Sequence, residues 1–237
     1  MKTLFFALLV SGYLFAQETN SEKMNIVKTN VTAYAFRNVN LTYERILSKK
    51  FSIAAGYGTV SKGKIPFSSS ILKDTEFTDT QVGLTHFTIE PRIYFGQGYG
   101  RGFYLAPYYR HTTVNADNVT LNVDFATDSV PMKIAGKATG DSGGLMLGVQ
   151  WFLGKTDSWI LDFWIIGAHY GKGKGDFRGN SARPLTAEEQ AQVRQEIEDL
   201  DIPFVEYTVT TDTNGATINV DGPWAGLRSG LSFGYRF

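Results

Sequence analysis

The sequence contains no cysteine. Disulfides and thiolate zinc sites are therefore excluded, and so is a lipid attached to a cysteine after an export leader. Beyond residue 17 no run of about 18 apolar residues occurs, so no helical membrane span is expected. Neither sign of charge is in surplus, with 23 Lys and Arg against 23 Asp and Glu. That balance offers no basic patch for nucleic acid and no acidic solvating tail. Histidine is scarce: His86, His111 and His169 are the whole set, and none sits in a zinc-type HExxH motif. Two glycine-rich stretches fail as nucleotide motifs. The run 171–175 (GKGKG) lacks the spacing and hydroxyl of a phosphate loop, and 96–102 does not fit GxGxxG. No cofactor is expected.

What is present begins at the N-terminus. Lys2 precedes a short apolar run, Leu4 to Val10, and Phe15-Ala16-Gln17 offers a small-residue cleavage site. This is the tripartite pattern of a secretory signal peptide, too short to span a bilayer. Residues 1–17 are read as a removed leader and 18–237 as one mature domain. Losing Lys2 leaves 22 basic against 23 acidic residues, a net charge of −1.

Aromatics make up 14% of the chain and glycine contributes 25 residues, a composition suited to strands and tight turns. The C-terminal segment shows how they are arranged. Phe237, Tyr235, Phe233, Leu231 and Leu227 lie on one face of a period-2 pattern, with Arg236, Gly234, Ser232, Gly230 and Arg228 on the other. A soluble strand rarely puts glycine and arginine on its core face. The pattern makes sense inverted, with the apolar face toward lipid and the polar face toward a lumen.

The same inversion recurs in seven earlier segments, near 25–36, 39–48, 51–60, 82–95, from 103, up to 153, and 158–169. Eight strands of this length predict an all-β fold: an antiparallel, up-and-down transmembrane barrel. Closure is what would let so polar a chain cross a membrane, because it pairs every backbone group. With both termini periplasmic, the second, fourth and sixth turns must be short. They fall at Ser48-Lys49-Lys50, Gly96 to Gly102 and Gly154 to Asp157. The other side carries three long segments, about 61–81, 112–140 and 170–223, and a short turn near Arg37-Asn38. Within 112–140, the alternation of Val119, Leu121, Val123 and Phe125 predicts that one strand continues outward and returns through Met132 and Ile134. Within the last segment, Thr186 and Glu189 form a capping box that opens a helix over about 186–200. Asn214-Gly215 predicts a hairpin over about 205–221.

Two sets of side chains carry candidate chemistry. Lys28, Glu44, Glu90, Arg92, Arg110, Asp162 and Arg228 all fall on inward faces. An eight-stranded lumen is just wide enough for side chains to fill, so these charges are expected to pair as a structural network. A proton or ion path, hence a narrow pore, is the alternative. His111, Asp141 and Ser142 would meet at the outer rim, where a lipid acyltransferase or esterase would need a nucleophile beside its base.

Three segments carry a resemblance: NLTYER at Asn40 to Arg45, IEPRIYF at Ile89 to Phe95, and GFYLAPY at Gly102 to Tyr108. They look like the small uncharacterised eight-stranded outer-membrane barrels of the porin-like superfamily of Gram-negative bacteria. The likeness covers most of 25–115 and 141–237. Phe233, Tyr235 and Phe237 resemble the signal read by the barrel-assembly machinery. The resemblance implies this fold and an outer-membrane location, in contact with outer-membrane lipids, and little about activity. A filled lumen and the lack of a convincing catalytic set favour a structural or interaction role, with the long outer segments presented to other surface or outer-membrane proteins.

Overall fold

The computed structural model describes residues 23–64, 81–96, 98–125, 128–198 and 206–237. The leader segment 1–17, most of the 61–81 segment, Leu200 and Pro203 lie outside the described residues.

Among the described residues nine antiparallel strands form: β1 (Asn25–Asn30), β2 (Asn38–Ile46), β3 (Phe51–Lys64), β4 (Gln81–Tyr94), β5 (Gly102–Asp124), β6 (Ser129–Leu153), β7 (Trp159–Ser181), β8 (Glu206–Asp212) and β9 (Gly215–Arg236). One helix, α1 (Ala187–Glu198), lies between β7 and β8. Each of β1 to β7 pairs with the next, β7 pairs with β9, and β9 returns to β1. These eight strands close a ring, while β8 pairs with β9 outside it. Among the described residues no helix is long and apolar enough to cross a membrane.

Closure is set by register. Val27 lies opposite both Tyr43 on β2 and Tyr235 on β9, so β1 is bonded on both edges. No strand of the ring is left with an open edge at that level, the arrangement that removes unpaired backbone groups.

Three sequence expectations are corrected. The first strand stops at Asn30, and a 3₁₀ turn, Thr32–Phe36, replaces its second half. The Asn30 side-chain oxygen accepts from the Ala33 amide at 3.0 Å and the Thr32 hydroxyl at 2.7 Å. An asparagine that bonds its own downstream backbone offers the chain a turn in place of a ladder.

The second correction concerns phase in the seventh strand. A register shift between β6 and β7 leaves Ile165 without a partner on β6. Trp164 stays inside, and the outward position passes to Ile166, which is 55% exposed. One extra residue on one strand does this wherever it is inserted. On β6 the alternation that turns Leu147 and Trp151 outward predicts the same exposure for Val149, which is covered instead, flanked in register by the larger Phe103 and Phe163.

The third concerns the last outer segment, where β7 continues to Ser181 and β9 begins at Gly215. In the segment before it, β5 and β6 run as one hairpin to Asp124 and Ser129, as the alternation there predicts. Beyond the ring the strands form a five-stranded wall in the order β5-β6-β7-β9-β8. Its glycine-rich stretches are poor intrinsic strand formers. They hold because aromatic rings on neighbouring strands lie over them. A side chain at Gly140 or Gly173 would strike Trp224, and one at Gly136 would strike Phe177.

The helix packs on this wall. Its Val193 is buried with Val123, Met132, Leu185 and Ala216, and Ile197 packs against the same cluster. Its start is doubly bonded: the Thr186 amide donates to Glu189 at 2.8 Å and the Glu189 amide to the Thr186 hydroxyl at 3.3 Å. Arg183 bridges Glu189 (2.6 Å) to Asp128 at the β5–β6 turn (2.8 Å).

The Arg183 guanidinium and then the Thr186 amide hold the Glu189 carboxyl down at about 2, against an ordinary value of 4.5. A depressed acid stabilises the fold above its unfolded value and loses that contribution as pH falls toward its folded one. Hydrogen-exchange protection of the α1 amides is therefore expected to fall between pH 4.5 and about 2. In Glu189→Gln that pH step should be absent.

Candidate functional site

The ring is inverted relative to a soluble protein. Its outer surface carries exposed apolar side chains, with Leu41 at 58%, Phe103 at 56% and Leu227 at 78% exposure. Its interior buries charge. Lys28, Glu44, Glu90, Arg92 and Asp162 are each no more than 3% exposed.

These buried groups are bonded in a chain of alternating sign. The Lys28 ammonium donates to Glu44 (2.6 Å), Asp162 (2.7 Å) and the Gln150 side-chain oxygen (2.7 Å), so all three of its protons are used. Arg92 donates to Asp162 at 2.9 Å, to Glu44 at 3.3 Å and to Glu90 at 2.8 Å. The other oxygen of Glu90 accepts from Arg228 at 2.8 Å. Neutral donors complete the carboxylates. Tyr94 and Ser52 reach Glu44 at 2.6 and 2.5 Å, while Tyr104 and Trp164 reach Asp162 at 2.7 and 3.2 Å.

Six of the seven predicted inward charges thus meet in one network. The sequence points to Arg92 or Arg110 as the partner of Glu90. The structure gives it Arg92 and Arg228, because Arg228 lies across the rings of Tyr108 and Trp164 at 4.7 and 4.8 Å and so reaches down to it. Arg110 is the exception. Its Nε donates only to the Thr112 hydroxyl at 3.3 Å, and among the described residues no carboxylate lies within salt-bridge distance of it.

The network also recruits Tyr94, Tyr104, Gln150 and Trp164, which were not among the predicted site residues. Their inward phase was visible in the alternation, but an aromatic or amide on a polar face gives no sign of what it bonds. Inward glycines make the space: a side chain at Gly148 would lie 2.4 Å from the Tyr104 ring, and one at Gly144 would lie 2.6 Å from Tyr108.

Above the network the interior opens into a cavity of about 280 Å³, lined by Asn38, His86, Thr88, Arg110, Trp164 and Arg228 among others.

The rim set does not assemble. His111 and Asp141 are register partners on the outer face, with His111 Nδ1 2.8 Å from the carboxylate, and Tyr109 also donates to Asp141. Ser142 is buried inside, its hydroxyl donating to the Arg110 carbonyl at 3.3 Å. A nucleophile and base on opposite faces of one sheet cannot exchange a proton. Phe233, Tyr235 and Phe237 lie outside, where Trp159 stacks on Phe233 at 5.3 Å and meets Tyr235 edge-on at 5.3 Å. No group of three or more metal-ligating side chains is found among the described residues.

Residues 4–181, about three quarters of the chain, match the family model described as Protein of unknown function (DUF3575). The chain belongs to that family. The match ends where β7 ends, so in this DUF3575 member α1, β8 and the ring-closing β9 lie beyond it. No curated protein and no solved structure gives a significant match.

Proposed function

We propose that this DUF3575 member is an outer-membrane β-barrel whose role is to present the wall of extended strands and its helix to partners at the cell surface. The observation that carries the reading is the inversion of the ring, with charge and glycine inside and large apolar side chains outside. In water that surface would be an aggregation hazard, whereas in a bilayer it is solvated by lipid. The outward apolar positions of β7 run from Trp159 to Tyr170. At roughly 2.5 Å of height per residue for a tilted strand, that span is roughly 27 Å, close to the roughly 25 Å apolar band of such barrels.

The filled half of the lumen favours this role over a pore, since a chain of bonded charges spans the ring where an ion would have to pass. The separation of Ser142 from His111 and Asp141 weighs against the rim-enzyme reading. On this reading the N-terminal residues direct export, the aromatic band of Trp159, Phe233, Tyr235 and Phe237 sits at the periplasmic interface, and that band is what the assembly machinery engages.

Expression of the full chain in a Gram-negative host followed by density fractionation tests this. The expected result is a protein that starts near Gln17 or Glu18, sediments with the outer membrane and resists carbonate extraction. Recovery as a soluble periplasmic protein, or uncleaved in the inner membrane, would contradict it.

A further inference from the structure

The cavity above the ion network gathers unbonded polar atoms. Four buried polar atoms make no hydrogen bond among the described residues although their residues line this one space: Asn38 Oδ1, His86 Nδ1, Thr88 Oγ1 and Arg228 Nη1. Buried polar groups are nearly always bonded, so four around one cavity mark a place prepared for a partner. The charge balance says which kind. Lys28, Arg92 and Arg228 are matched by Glu44, Glu90 and Asp162, which leaves Arg110 as one surplus positive charge at the cavity wall. Glu90 also lines the cavity but does not offset Arg110, because its two oxygens are taken by Arg92 and Arg228.

We propose that this cavity is a binding site for a small monocarboxylate held between Arg110 and Arg228. A guanidinium presents a planar fork that matches a carboxylate in two parallel bonds. One surplus charge suits a monoanion better than a doubly charged phosphate. The volume, about 280 Å³, falls just below the range of drug-sized ligand cavities, about 300–1,000 Å³, and so suits a small ligand. Trp164 adds apolar wall for a short or single-ring tail. The inference rests on the closed ring and its polar interior, and it stands or falls independently of where in the cell the protein resides.

The test is a titration of the full mature chain, refolded in detergent micelles, with sodium benzoate and, separately, inorganic phosphate at constant ionic strength. It is read by NMR at the Nε–H signals of Arg110 and Arg228 and the indole N–H of Trp164. Benzoate should give saturable shifts at all three, and Arg110→Gln should weaken its affinity at least tenfold. Phosphate should bind more weakly than benzoate. Shifts that never saturate, or that are the same in Arg110→Gln, would overturn the site. Tighter binding of phosphate would overturn its assignment to a monocarboxylate. If Arg110→Gln does not fold, His86→Leu takes its place, since it removes the unbonded Nδ1 without removing a charge. A loss of at least threefold is then expected, and unchanged affinity would overturn the proposal.

Discussion

Asp162→Asn should lower the unfolding free energy of the refolded protein by about 3–5 kcal/mol, the usual cost of removing one partner from a buried ion pair. Asp162 accepts from Lys28, Arg92, Tyr104 and Trp164, and it and Glu44 are the two carboxylates between which both inner cations lie. Asparagine fits the same space and can still accept from two or three of these donors. What it cannot supply is the negative charge, so the three cations Lys28, Arg92 and Arg228 would be left with two carboxylates, Glu44 and Glu90, in a buried site. The Lys174–Asp221 pair on the outer wall is the natural control, with side chains 77% and 51% exposed. An exposed pair contributes at most about 1 kcal/mol, so Lys174→Gln should barely move the urea midpoint. Equal, small shifts for the two variants would mean that water reaches Asp162 and that the lower lumen is open.

Gly148→Val should be at least as damaging, for a steric reason. Gly148 is the register partner of Tyr104, and an added Cβ would lie 2.4 Å from both the ring and the hydroxyl of that tyrosine. Tyr104 is fully buried, with Arg92 stacked on its ring at 4.4 Å and its hydroxyl bonded to Asp162. It cannot step aside without breaking the network. Overpacking commonly costs about 1–3 kcal/mol, and losing a hydrogen bond to a charged group adds about 1.5–3 kcal/mol. The folded fraction in a refolding assay should therefore collapse. Gly143, five residues earlier on the same strand but facing outward, has nothing within 4 Å of the same added atom. Gly143→Val should refold like wild type. Adding Tyr104→Ala to Gly148→Val should recover part of the lost yield, because the two side chains compete for one space. Additive losses in the double variant would show that the steric reason is wrong.

Much of the architecture is written in the sequence as alternation, and it is legible wherever the period of two runs unbroken. Glu44, Glu90, Arg92 and Asp162 could be assigned inward because each sits between large outward residues such as Tyr43, Ile89, Ile93 and Phe163. Two kinds of feature resist that reading. A bulge such as the one at Ile165 changes the phase without leaving a local mark, since isoleucine suits either face. A strand such as 171–175, made of glycine and lysine, has no propensity of its own. It takes its form from β6 and β9 on either side and from Trp224 laid over it, and those contacts are distant in sequence. The pairing of Glu90 with Arg228 was hidden for a related reason. Register gives the height of a Cα, but a long arginine lying over two aromatic rings delivers its charge well away from that height.

The inversion itself is open to one direct measurement. Because the chain has no cysteine, a single cysteine can carry a nitroxide label at any chosen position without background. With labels placed in turn along β2 and β7, at Leu41, Thr42 and Tyr43 and at Leu161, Asp162 and Phe163, the protein would be reconstituted in lipid bilayers. Each label's collision rates with oxygen and with a water-soluble nickel chelate would then be recorded by electron paramagnetic resonance. The inverted ring predicts high oxygen and low nickel accessibility at Leu41, Tyr43, Leu161 and Phe163, with both falling at Thr42 and Asp162 between them. Nickel accessibility at the apolar positions, with no period of two along either strand, would show that water rather than lipid bathes the outer face and would contradict the account.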